Sequence, residues 1–184
     1  MDIVRATITF GYSLAKSRQF SEQKSTYASS ISTTPRIDSI ARCSSWRARS
    51  CDALRKKKRG KVWVSGVCDP YQPVEAEYRL TRQCLEILIQ NRWPVIIQTR
   101  SPLVLRDLDI LRYAMEVEVG LSVTTADDTI RKLFEPDAPP IPARIQALEE
   151  LHNAGIRTYA MIAPVLPGAE GLAALLKGKI DYVL

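Results

Sequence analysis

The chain has 184 residues, enough for one domain with a packed core but short of the roughly 250 of a full eightfold α/β barrel. Its 46% hydrophobic and 25% charged residues are ordinary for a soluble protein, and no stretch approaches the ~18 uninterrupted apolar residues of a membrane span. The net charge of +6 is unevenly placed: residues 1–60 carry 13 Lys/Arg against 4 Asp/Glu, whereas residues 61–184 carry 13 against 16.

Residues 1–60 form the first unit, a basic leader with eleven serines, few acids and no sustained hydrophobic period. Ile3, Ile8, Phe10 and Leu14 can make one weak element, and Arg55-Lys56-Lys57-Lys58-Arg59 is an unbroken cationic run. Three readings stay open: an arm that contacts nucleic acid, an organellar transit peptide, or a disordered leader with no role of its own.

From Lys61 the texture changes. Five β-branched runs, Val62–Val67, Val95–Thr99, Val117–Val123, Thr158–Val165 and Ile180–Leu184, alternate with helical patterns, which predicts βαβ units and a parallel sheet. The first helix starts at Pro73 and turns Leu80, Cys84, Leu85 and Leu88 inward. Asp107–Ala114 is the weakest helical stretch. Thr125 and Asp128 read as a capping pair ahead of Ile130 and Leu133. Pro142 opens a helix carrying Ile145, Leu148 and Leu151, with Gly155 as its stop, and Leu172, Leu175 and Leu176 form a short helix ended by Gly178. The expected class is therefore α/β, with five parallel strands alternating with helices.

Ligands of such sheets bind at the carboxyl ends of the strands. The residues there are small and polar: Ser65 to Tyr71, Thr99 to Pro102, Ser122 to Asp128, and Pro164 to Glu170. The single histidine, His152, falls on a helix and reads as a surface or packing residue. Asp69 before Pro70 can move a proton or make a turn, and Asp127 with Asp128 reads as helix capping. The cysteines, Cys43, Cys51, Cys68 and Cys84, make no tight ligand pair and fit reduced thiols of a cytoplasmic protein. Spacing alone specifies no reaction.

Five segments carry a resemblance. VWVSGVCDPYQPVE from Val62, IIQTRSPLVLRDLDIL from Ile96, VEVGLSVTTADD from Val117, FEPDAPPIPARIQALEELHNAGI from Phe134 and MIAPVLPG from Met161 resemble, in order and spacing, the spore photoproduct lyase-like branch of the radical S-adenosylmethionine superfamily. The likeness runs from Ala53 to Leu184. It implies a partial (β/α) barrel, a 4Fe–4S cluster held by three cysteines, and S-adenosylmethionine as the source of a 5′-deoxyadenosyl radical. It further implies a reductant of ferredoxin or flavodoxin type and, within this branch, DNA photoproduct repair or a related lyase reaction.

Carried onto this chain, the resemblance places Ser65, Gly66, Val67, Asp69 and Pro70 in the loop similar to the family's Gly-Gly-Glu-Pro motif, which holds the cofactor's amino end. It places Ser122 and Thr124 near the ribose and carboxylate, Arg100 opposite the carboxylate, and Ala163, Pro164 and Val165 beside adenine. Cys68, on the cofactor loop, is a candidate hydrogen donor or a small buried residue. The family's Cys-x-x-x-Cys-x-x-Cys is absent from the 184 residues. Four expectations follow: that the first, cluster-bearing strand is missing, that residues 1 to about 52 arise from a frameshift or mispredicted start, that the chain stops inside its last strand, and that it is an inactive fragment. A non-catalytic module that binds nucleic acid through the basic leader is the alternative. Oligomeric state is not readable from the sequence.

Overall fold

The computed structural model describes residues 56, 59–64 and 68–184. The leader, apart from residues 56, 59 and 60, lies outside the described residues, as do Cys43, Cys51, Ser65, Gly66 and Val67. Five strands form one open sheet in the order β1 to β5. They are β1 (Val62–Val64), β2 (Val95–Thr99), β3 (Val117–Ser122), β4 (Arg157–Met161) and β5 (Tyr182–Val183). Each neighbouring pair is parallel. Helices alternate with them: α1 (Glu75–Tyr78), α2 (Leu80–Gln90), α3 (Leu108–Leu111), α4 (Asp128–Phe134), α5 (Ile141–Asn153) and α6 (Leu172–Leu176). Among the described residues β1 is an edge strand; the open parallel sheet is the one the alternation predicts, and it is consistent with the partial (β/α) barrel that the resemblance implies.

Pleating gives the sheet two unlike faces. Val62, Val64, Val95, Ile97, Val119 and Leu121 share one face, all nearly fully buried against Leu85, Leu88, Leu148 and Leu151 of α2 and α5. The strand register sets Trp63, Ile96, Gln98, Glu118, Gly120, Ser122, Tyr159, Met161 and Tyr182 on the other. On that face the Tyr159 ring lies across Gly120, where an added Cβ would stand 2.2 Å from ring carbons, and stacks on Tyr182 at 5.3 Å between centroids.

Several boundaries differ from the expected ones, each for a local reason. The Pro73 helix is broken at Arg79, whose φ of 52° is left-handed, so it runs as α1 and then α2. The buried Glu75 carboxylate spans the break by accepting from Leu80 N–H at 2.9 Å, at the orphan amides of the second segment. The weak stretch after β2 is a 3₁₀ turn, Pro102–Asp107, leading into α3. The cap of α4 is Asp127, which accepts from Thr129 N–H at 2.7 Å, and not Thr125. The fourth strand ends at Met161, well short of Val165. Its pairing closes when Ile162 N–H meets Leu184 O at 2.8 Å, and Pro164 has no N–H with which to continue.

Candidate active site at the carboxyl ends of the strands

The loop after β1 is fastened from two sides. Asp69 Oδ1 accepts from Tyr71 N–H at 2.8 Å and from the Thr99 hydroxyl at 2.5 Å, while its Oδ2 accepts from Arg100 N–H at 2.7 Å. One carboxylate thus ties the loop to the end of β2. Pro70 O accepts from the Thr81 hydroxyl at 2.6 Å. Behind it, the buried Tyr71 hydroxyl donates to Asp107 Oδ2 at 3.0 Å. Burial, and next the Asp107 charge, push the Tyr71 pKa up. Asp107 is itself fully buried and held by Arg106 Nε at 2.8 Å and Arg82 at 3.1 Å.

Between β2 and β3, Gln98 Nε2 donates to Ser122 Oγ at 2.9 Å. The other end of that amide, Gln98 Oε1, and the hydroxyl of Thr124 are buried without a hydrogen-bond partner among the described residues. Buried polar atoms are almost always paired, because leaving one unpaired costs about 1–3 kcal/mol. Glu135 Oε2, Arg144 Nη2 and, at the amino end, Trp63 Nε1 also lack a hydrogen-bond partner among the described residues, so Gln98 and Thr124 are two of five such atoms. Thr124 O accepts from Leu166 N–H at 3.0 Å and the Thr125 hydroxyl donates to Pro167 O at 2.6 Å, which draws the loop after β4 alongside. Ala163, Pro164 and Val165 stand exposed on that loop.

Arg100 donates from Nε to Glu135 Oε1 at 3.1 Å, and its side chain is 44% exposed. Glu135 Oε2 lies 2.8 Å from Nη2 of Arg144, which has no solvent exposure. Arg144 also donates to Ser122 O and Pro139 O, each at 2.8 Å. Burial holds its pKa below the ordinary arginine value, against the opposing pull of Glu135. Gln98, Glu135 and Arg144 are not visible as site residues in the sequence. The one signal is Arg144 itself, a cation on the helical face shared by Ile141, Ile145 and Leu148.

The amino end of the sheet is different. Lys61 Nζ sits 2.6 Å from both Glu116 and Glu118, Arg157 reaches Glu118 at 3.6 Å, and the Tyr182 hydroxyl donates to Glu118. Burial alone would raise the Glu118 pKa, but Lys61, Tyr182 and Arg157 together hold it below the usual carboxylate range. The Tyr182 phenol is pushed up to about 12 by burial and then by Glu118. His152 is a packing residue on α5, 3.3 Å from Asp181 Oδ2.

The described residues do not fit an iron–sulfur cluster. The chain has four cysteines at wide spacing. Cys84 is buried in α2, Cys68 is half-buried in the loop after β1, and no group of ligating side chains among the described residues can hold a metal ion. At the carboxyl ends two buried oxygens lack partners among the described residues and one guanidinium is half-exposed.

A family model described as the radical SAM superfamily matches residues 48–170, and the chain belongs to that superfamily. An uncharacterised protein of Methanocaldococcus jannaschii is 38% identical over 117 residues, 63% of this chain and 45% of that one. An isomerase of Pseudomonas phage M6 named as a radical SAM Nα-GlyT isomerase is 26% identical over 106 residues, 58% of this chain and 22% of that one. Spore photoproduct lyase shares the fold. A mutant of it with bound AdoMet and dinucleoside spore photoproduct superposes with a TM-score of 0.55 at 16% identity, over 80% of this chain and 45% of that one. The chain spans less than half the length of each of these proteins. The superfamily implies S-adenosylmethionine and a 4Fe–4S cluster. No described helix is long and apolar enough to cross a membrane.

Proposed function

We propose that the carboxyl ends of β1 to β4 are the S-adenosylmethionine seat of a radical SAM protein, and that these 184 residues do not by themselves assemble the cluster. The pair of buried oxygens without partners, Gln98 Oε1 and Thr124 Oγ1, carries the first half of this reading. On it, the loop containing Ser65, Gly66, Val67 and Pro70 receives the amino acid end, with Asp69 as its fastening. Ser122 and Thr124 face the ribose, Arg100 meets the carboxylate as a fork, and Ala163, Pro164 and Val165 flank adenine. Were a cluster supplied from outside these residues, S-adenosylmethionine held there would supply the family's hydrogen-abstracting chemistry.

Equilibrium dialysis of the full chain with S-adenosylmethionine tests the seat: saturable binding that weakens in Thr124→Val is expected, and absence of binding sinks the reading. Anaerobic incubation with iron and sulfide is expected to leave the protein colourless. A stoichiometric cluster absorption would overturn the second half. The substrate class proposed with this seat is a DNA photoproduct or similar dinucleoside, supported by the shared fold, and the reductant is of ferredoxin or flavodoxin type. A cytoplasmic location is proposed with that chemistry, supported by only four cysteines in 184 residues, too sparse for a secreted disulfide scaffold. Residues 1–60 are proposed as a unit separate from the barrel at 61–184, which limited proteolysis would separate.

The charge partition supports a second reading. Residues 1–60 hold 13 basic side chains against 4 acidic ones, the footprint of a phosphate-contacting arm. DNA affinity that falls steeply with salt, and falls again when Lys56, Lys57 and Lys58 are replaced by glutamine, is the expected result. Affinity indifferent to both changes removes this reading.

A further inference from the structure

The linked side chains Arg100, Glu135 and Arg144 hold two cations around one carboxylate. Arg144 has no solvent exposure, and among the described residues its contacts are internal: an ion pair from Nη2 to Glu135 Oε2 at 2.8 Å that lacks hydrogen-bond alignment, and hydrogen bonds to Ser122 O and Pro139 O. Arg100 is the opposite. It is 44% exposed and is held through Nε alone, so both Nη groups are without a partner among the described residues. A guanidinium pinned at Nε keeps its two terminal N–H groups free, and these form an edge that can grip an oxyanion bidentately. Pinning also removes rotamer freedom that the ligand would otherwise have to freeze. Glu135 divides its single negative charge between two guanidiniums, so the trio retains one positive charge at the rim of the sheet.

We infer that Glu135 and Arg144 are positioning residues that present Arg100 as a preset oxyanion fork. Glu135 fixes the angle of the Arg100 guanidinium. Arg144 fixes Glu135 and, through the Ser122 carbonyl, ties the fork to the end of β3. This inference deepens the proposed cofactor reading and rests on it only for the ligand's identity. The shared ligand chemistry is a planar or tetrahedral oxyanion, supplied by the cofactor carboxylate or by a substrate phosphodiester.

Binding of three probes to the full chain separates these possibilities: S-adenosylmethionine, its decarboxylated form, and a dinucleoside monophosphate. If the carboxylate is the ligand, S-adenosylmethionine is expected to bind about tenfold more tightly than its decarboxylated form. That ratio should collapse towards one in Arg100→Met, and in Arg100→Lys, which keeps the charge but loses the fork. If the phosphodiester is the ligand, the dinucleotide should weaken about tenfold in both variants while the ratio between the first two probes stays flat. Glu135→Gln should reproduce a smaller part of whichever loss is seen, whereas a merely structural role would weaken all probes alike. Where Glu135→Gln fails to fold, the exposed Arg100 variants leave the Glu135–Arg144 pair intact and still decide the matter. If no probe binds, the cofactor reading fails. The fork is then decided by inorganic phosphate, read as a thermal shift present in the natural chain and absent in Arg100→Met. A fork that discriminates none of these ligands overturns the inference.

Discussion

The two ends of the parallel sheet are built from the same kinds of residue and finish differently. At the amino end, Lys61, Glu116, Glu118, Arg157 and Tyr182 satisfy one another, and Trp63 Nε1, level with Glu118, is buried without a partner among the described residues. At the carboxyl end, Gln98 and Thr124 keep buried oxygens without partners and Arg100 keeps an open edge. A region whose polar groups are mutually satisfied contributes to folding. An unsatisfied buried group costs stability, and the open edge of Arg100 is what sets the carboxyl end apart and supports the seat proposed there.

The largest expected effect breaks the carboxyl-end scaffold. Asp107→Ala strands Arg82, Arg106 and the Tyr71 hydroxyl around a buried void, and should lower unfolding free energy by about 3–5 kcal/mol in a urea titration. A loss below about 1 kcal/mol would mean the network does not fasten the loop.

At the amino end, Glu118→Gln should reduce stability by a smaller amount, about 1–3 kcal/mol, because Arg157 remains largely in water. The sign with pH is fixed by the depressed Glu118 pKa. Its contribution is complete above the unfolded carboxylate range and is lost as pH falls through the lower folded value. The variant should therefore lose part of the acid dependence of stability while binding S-adenosylmethionine as the natural chain does. Weakened binding would mean the two ends are not separable.

Thr124→Val sharpens the contrast at smaller cost. Removing a buried hydroxyl without a partner should leave stability unchanged or raise it by about 0.5–1 kcal/mol, while cofactor binding weakens. Stability lost in step with binding would show that the hydroxyl serves the fold. The smallest effect concerns Asp128, whose pKa is drawn down to about 2 by Arg131 and then by the Ile141 amide. Its contribution is present above the ordinary aspartate value and disappears between there and about pH 2, so Asp128→Asn should flatten that limb of an acid titration.

Much of the fold is legible in the residues. Val95–Thr99 is a strand over the expected range, and Gly155, at φ 80°, follows the helix it was expected to stop. Legibility fails where a long-range partner overrides a local pattern. The Pro73 helix shows continuous apolar spacing, yet Glu75 folds back to cap its second half. The fourth strand reads as apolar through Val165, but pairing ends where Pro164 offers no amide. For the proposed site, strand-end polarity picks out Ser122, Thr124 and Arg100 as candidates, whereas the contacts of Glu135 and Arg144 depend on a helix and a loop meeting the end of β3, which no local spacing encodes.

The Tyr159 ring laid across Gly120 gives the sheet a solid floor. An alanine at position 120 would push that ring aside, and with it the Tyr182 ring stacked on it and the hydroxyl that Tyr182 donates to Glu118, so one missing methyl group underlies both the middle of the sheet and its amino-end network.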